Sequence, residues 1–100
     1  METTDSSVRE IVTDAEFTAV RAGPSGCFVV TDRSTPTRIH TLNCYAVGLT
    51  HFRTKVIVNE RRRGRYYAAS SIETARRRFP RAVPCGLCHP FPATPVPPVV

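Results

Sequence analysis

The chain has 100 residues, a formal net charge of +6, nine prolines, four cysteines and no tryptophan. That length fits one domain of roughly 100–150 residues at most, with a core too small to be secure alone, so a metal, a disulfide or a partner is expected to staple it. No apolar run approaches the ~20 residues that cross a bilayer. The acidic, polar start METTDSSVRE does not read as a secretory signal, so the expected setting is cytoplasmic, without membrane contact.

Charge divides along the chain. Residues 1–32 hold six acidic and two basic side chains, whereas residues 33–100 hold twelve basic side chains against Glu60 and Glu73. Thirteen of the fourteen cations are arginine, whose planar fork pairs bidentately with phosphate. The basic stretch therefore suits a polyanion. A merely solvated face is the plainer reading, and an acidic protein partner would meet the same charge.

Residues 1–6 read as a flexible N-terminus. Val8, Ile11, Val12, Ala15, Ala19 and Val20 recur near helical spacing, which predicts a helix over 7–22. The Thr13–Glu16 capping box signals a break within it, and Gly23-Pro24 ends it. The β-branched run Phe28–Thr31, the turn at 32–36 and Thr37–His40 predict a hairpin. Thr54–Asn59 and Arg65–Ala69, joined by the polar turn 60–64, predict a second and larger one. Ser70 with Glu73 resembles another capping box. The helix it opens runs from Ser71 to about Arg78, buries Ile72, Ala75 and Phe79, and stops at Pro80. Residues 7–90 would form the single domain, and the proline-rich residues 91–100 an extended tail.

Two short pairs carry the chemistry: His40-x3-Cys44 and Cys85-x2-Cys88. Zinc takes four sulfur or nitrogen ligands in a tetrahedron, and three thiolates with one imidazole make a common closed site that leaves no position for water. The expected cofactor is thus a structural Zn2+ on His40, Cys44, Cys85 and Cys88, with no catalytic residue and no small-molecule substrate. Cys27, His89 or His51 could replace a ligand. Buried free thiols, a redox dithiol and the haem-attachment pattern Cys85-x-x-Cys88-His89 compete with this reading. The redox pair usually opens a helix after a strand, and haem attachment needs export and a distal ligand, neither of which the sequence offers.

The order of these features resembles the N-terminal zinc-binding module of the Ada family. The resemblance runs from Phe28 to Pro90, through Ile39-His40, Cys44, a strand pair, the helix signature Ser70, Ser71, Glu73 and Ala75, and the close Pro84-Cys85-x-x-Cys88-x-Pro90. It implies a small α+β zinc-stapled domain with short antiparallel hairpins. In the Ada family the first ligand is a cysteine that accepts a methyl group from DNA. His40 stands there, and an imidazole is not that thiolate nucleophile. Small modules with histidine first, found in bacterial and phage proteins, look closer.

Function then falls to the basic residues. Arg61, Arg62, Arg63 and Arg65 at the expected hairpin tip, with Tyr66 beside them, could grip phosphates and stack on a base. Arg77 and Arg81 extend the charge, although cations at the end of a helix also suit its dipole. The expected role is nucleic-acid binding, DNA before RNA. A regulatory module docking a protein partner is the alternative, and alkyl transfer to Cys44 or Cys85 is the remote one.

Overall fold

Within residues 7–91, which the computed structural model describes, the chain begins as a strand. β1 (Val8–Ile11) precedes α1 (Asp14–Arg21), so the helix expected over 7–22 occupies only its second half. The capping box marks the change. Glu16 N–H donates to Thr13 Oγ1 at 3.1 Å, and Thr13 N–H donates to the Glu16 carboxylate at 3.1 Å. Val8 to Ile11 gain more by pairing with a neighbouring strand than by adding one more helical turn; their apolar spacing alone did not decide between the two.

β2 (Cys27–Val30) and β3 (Arg38–Thr41) form the expected hairpin. A 3-10 turn (Tyr45–Val47) and the short α2 (Leu49–Phe52) follow, and α2 continues into a π-helical stretch, Arg53–Val58. The strand expected at Thr54–Asn59 is therefore helical, and the second hairpin does not exist. Leu49, Phe52 and Val56 lie three and four residues apart; Phe52 and Val56 are buried in the core and Leu49 packs against it. That stripe outweighs the β preference of Val56, Ile57 and Val58, since tertiary packing overrides intrinsic propensity. The wide turn shows in Asn59 N–H reaching Thr54 O, five residues back, at 2.9 Å.

β4 (Tyr66–Ala69), α3 (Ile72–Arg78) and the two-residue β5 (Val83–Pro84) complete the elements of the described residues. The α3 cap is Ser71, not Ser70: Thr74 N–H donates to Ser71 Oγ at 3.0 Å. Of its expected buried residues Ala75 is fully covered, while Ile72 and Phe79 are partly so.

The five strands make one mixed sheet in the order β1-β4-β2-β3-β5, antiparallel except for the β3–β5 pair. With helices and sheet in one small body, the fold is α+β. Because side chains alternate across a strand, the sheet has two cores. On one face Phe17 of α1 stacks on Phe28 and Phe52 with ring centroids 5.0 and 4.9 Å away, and Tyr66 meets them edge-on. On the other, Val29, Ile39 and Ala69 pack under Ala75 of α3. Phe91, the first residue assigned to the tail, is buried in this second core with the Arg76 guanidinium 4.4 Å above its ring. The rest of the expected tail and the expected flexible N-terminus lie outside the described residues.

Candidate metal centre

The β2–β3 register fixes the first candidate ligand. His40 lies opposite Phe28, so it points to the face covered by α1 and α2. Just past β3 the chain turns, with Cys44 N–H donating to Thr41 O at 3.3 Å, and Cys44 Sγ enters the same core. β5 supplies the second pair. It runs parallel to β3, and its last bond, from Cys85 N–H to Ile39 O at 3.0 Å, sets Cys85 beside His40. A tight turn then brings Cys88 back: His89 N–H donates to Cys85 O at 3.0 Å, and His89 itself takes a left-handed φ of 48° to close it.

The ligand atoms of His40, Cys44, Cys85 and Cys88 all lie within 4.8 Å of one another, close enough to hold a metal ion. Two of the sulfurs, on Cys44 and Cys85, are 3.8 Å apart. A disulfide would require about 2.05 Å. The edge of a tetrahedron with metal–sulfur bonds of roughly 2.3 Å is about 3.8 Å. His40, Cys44 and Cys85 are buried and Cys88 is partly exposed. Backbone N–H groups already point at two sulfurs, Thr41 at Cys88 and Leu87 at Cys85, each at 3.3 Å. N–H groups so placed favour thiolates over thiols.

The protonation balance also fits a cation. Burial, aided by Arg38 and Lys55, drives the His40 pKa down to about 4 from its ordinary 6.5, so the ring is neutral and its lone pair is available. His40 Nδ1 is buried and has no hydrogen-bond partner. Such an orphan is costly unless something else engages the ring. Burial pushes the Cys44 thiol up to about 11, and the neighbouring Cys88 and Cys85 add to the effect. For Cys85 burial works upward too, but the N–H groups of Cys88 and Leu87 outweigh it and hold the thiol below its ordinary value. Three sulfurs this close cannot all ionise without a positive charge among them. A metal ion held among them would supply it.

The other candidate ligands stand apart. Cys27 faces the opposite side of the sheet from His40, as the strand alternation requires. It is fully buried, its Sγ lies 3.6 Å from Ser71 O, and burial pushes its pKa up to about 11. His51 and His89 are exposed and outside the cluster. What the sequence reading missed is β5. Two residues, one of them proline, give no strand signal, yet they deliver both cysteines. The arrangement brings four potential protein ligands to one point, three of them buried and Cys88 partly exposed.

The arginines lie elsewhere. Arg61, Arg62, Arg63 and Arg65 are exposed on the loop before β4, not at a hairpin tip. Glu10 of β1 pairs with Arg61 at 3.3 Å and with Arg65 at 3.2 Å, and Glu60 pairs with Arg62 at 2.7 Å. Arg77 and Arg81 are exposed. Tyr66 is only 3 % exposed within the first core, so its ring cannot stack on a base. Among the described residues no helix is long and apolar enough to cross a membrane. No family model, curated protein or solved structure matches the chain.

Proposed function

We propose that this chain is a small zinc-clasped module that binds nucleic acid, duplex DNA first, and that its ion is structural. The convergence of His40, Cys44, Cys85 and Cys88 carries the reading. Three thiolates and an imidazole favour zinc over harder ions. A set filled by four protein ligands leaves no open position for a reactive water, which supports a clasp over a hydrolytic centre. Free thiols at these distances suit a reducing, cytoplasmic setting. The module is Ada-like in the order of its ligands, with His40 where a methyl-accepting thiol would stand, so it binds without alkyl transfer.

The nucleic-acid role is supported by where the arginines gather. Val8 and Glu10 project from the same face of β1, two residues or about 6.8 Å apart. Glu10 meets Arg61 and Arg65, whereas Val8 lines a cleft of about 330 Å³ with Ser7, Thr74, Arg77 and Arg78. The loop cations and the helix cations therefore share one side of the molecule. Arg81 extends them, lining the next cleft with Arg78.

Fluorescence anisotropy with a labelled duplex, titrated over a range of salt, tests this. Binding should weaken with salt at a log–log slope of about 0.9 per phosphate contact. Changing Arg61, Arg65 and Arg77 together to Gln should flatten the slope by up to about 2.7. Affinity and slope unchanged in that variant would overturn the assignment of this surface.

A further inference from the structure

Binding through phosphates alone leaves open what meets the bases. Tyr66, the aromatic expected to stack, is buried, and Tyr67 is half-buried against Phe79 with ring centroids 5.1 Å apart. The third tyrosine is Tyr45, at 74 % exposure, directly after the ligand Cys44. Leu87, 55 % exposed, sits between Cys85 and Cys88 on the tight turn. Two large apolar side chains thus stand in solvent on the two loops that the ligand cluster holds together, since the Cys44 and Cys85 sulfurs are only 3.8 Å apart. Neither contributes to the cores. Their surroundings favour a polyanion: segments 37–51 and 82–91 contain Arg38 and no acidic residue, and Arg38 is exposed on β3, two residues before His40.

We propose that Tyr45 and Leu87 form a base-binding platform at the pole of the His/Cys cluster, on which an unpaired nucleobase stacks while Arg38 holds an adjoining phosphate. This rests on the nucleic-acid reading and adds a ligand class to it: single-stranded DNA or RNA, or an unpaired base within a duplex. A phenol ring stacks on the face of any base, and that contact is largely sequence-tolerant. Leu87 covers the edge of the base from the opposite loop. Bases paired inside a duplex cannot reach such a platform, so it discriminates between paired and unpaired strands. A rigid mount is what the site requires, and the four-ligand cluster provides it by fixing both loops to one point.

The chain has no tryptophan, so its intrinsic fluorescence is that of tyrosine, and Tyr45 is the exposed reporter. The zinc-loaded full chain is titrated with a single-stranded 12-mer and with the matching duplex. Single strand should quench tyrosine emission, and duplex should not. Tyr45→Leu should abolish the quench and weaken single-strand binding about 5- to 150-fold, the range for stacking one base, with duplex affinity unchanged. Tyr45→Phe should keep wild-type single-strand affinity, and Leu87→Gln should weaken it. Zinc content and far-UV dichroism equal to wild type establish that Tyr45→Leu is folded. Wild-type single-strand affinity in Tyr45→Leu, or loss of it in Tyr45→Phe, overturns the platform while leaving duplex binding intact. If the wild type binds neither strand form, or Tyr45→Leu loses only a protein partner, the nucleic-acid reading fails and the platform with it.

Discussion

Gly64 should be intolerant of any side chain, and the reason lies across the loop from it. A Cβ at this position would lie 2.0 Å from the Thr31 carbonyl oxygen and 3.0 Å from Lys55 Nζ. The lysine tip can swing away, but the carbonyl belongs to a backbone held by three bonds. Thr31 N–H donates to Arg65 O at 2.9 Å, Arg33 N–H to Arg63 O at 2.8 Å, and Arg65 N–H to Thr31 Oγ1 at 2.9 Å. Relieving the clash moves the two segments apart by an ångström or more and breaks them. At about 0.5–1.5 kcal/mol each, Gly64→Ala should cost about 2–4 kcal/mol. For a domain of this size that is a fall in Tm of roughly 10–25 °C. Thermal melts of the zinc-loaded protein, followed by far-UV dichroism, measure it. Zinc content should stay unchanged, because no ligand touches this loop, while DNA affinity should fall as Arg63 and Arg65 lose their mount. A Tm drop below about 3 °C would show that segments 31–33 and 63–65 do not meet as described.

Glu10→Gln should strengthen binding to DNA, because the carboxylate that occupies Arg61 and Arg65 is removed; the cost to stability should stay below about 1 kcal/mol, as for other exposed pairs. Weaker binding in that variant would mean Glu10 positions the arginines instead of competing for them. Acid should destabilise the fold in two windows. His40 is held neutral with its pKa at about 4 against an ordinary 6.5, so the unfolded chain takes up a proton that the folded one refuses. Its stability is whole above about pH 6.5 and falls by about 3 kcal/mol as pH drops towards 4. A metal on the ring pushes the same way. The Lys55 ammonium beside Asp32, with Ser34 N–H and Oγ, holds that carboxyl below its ordinary 3.8, so its contribution is present above about pH 4 and is lost below. A melting temperature that is flat from pH 7 to 5 would contradict the His40 step. Cys27→Ala should keep the metal stoichiometry and cost less than about 2 kcal/mol; a drop in bound metal would place Cys27 among the ligands.

How much of this could be read beforehand depended on whether the signal was local. The four-residue cluster was legible because each pair converges within a single turn, at H-x3-C and C-x2-C spacing. The β2–β3 hairpin was legible because strand, turn and strand follow one another with ordinary turn chemistry. The helix–strand choices at 8–11 and 53–58 were not, because both segments are rich in β-branched residues and their state depends on distant partners. Val8–Ile11 became a strand because β4 lies beside it. Residues 53–58 became helical because Phe52 and Val56 bury against Phe17 and its neighbours. Leu49, Phe52 and Val56 at helical spacing were the available clue. Losing that second hairpin also buried Tyr66 and moved the arginines to a loop. β5 had no clue at all, since two residues define no period.

The central claim is that one ion clasps β3 to β5. Its most direct test is the metal content of tag-free protein measured together with its fold in a strong chelator. One zinc per chain is expected, with loss of far-UV dichroism and of cooperative melting once the ion is stripped, and with His40→Ala lowering the zinc content. Metal-free protein that stays folded in chelator would contradict the claim, since the four side chains would then be gathered for reasons of packing alone.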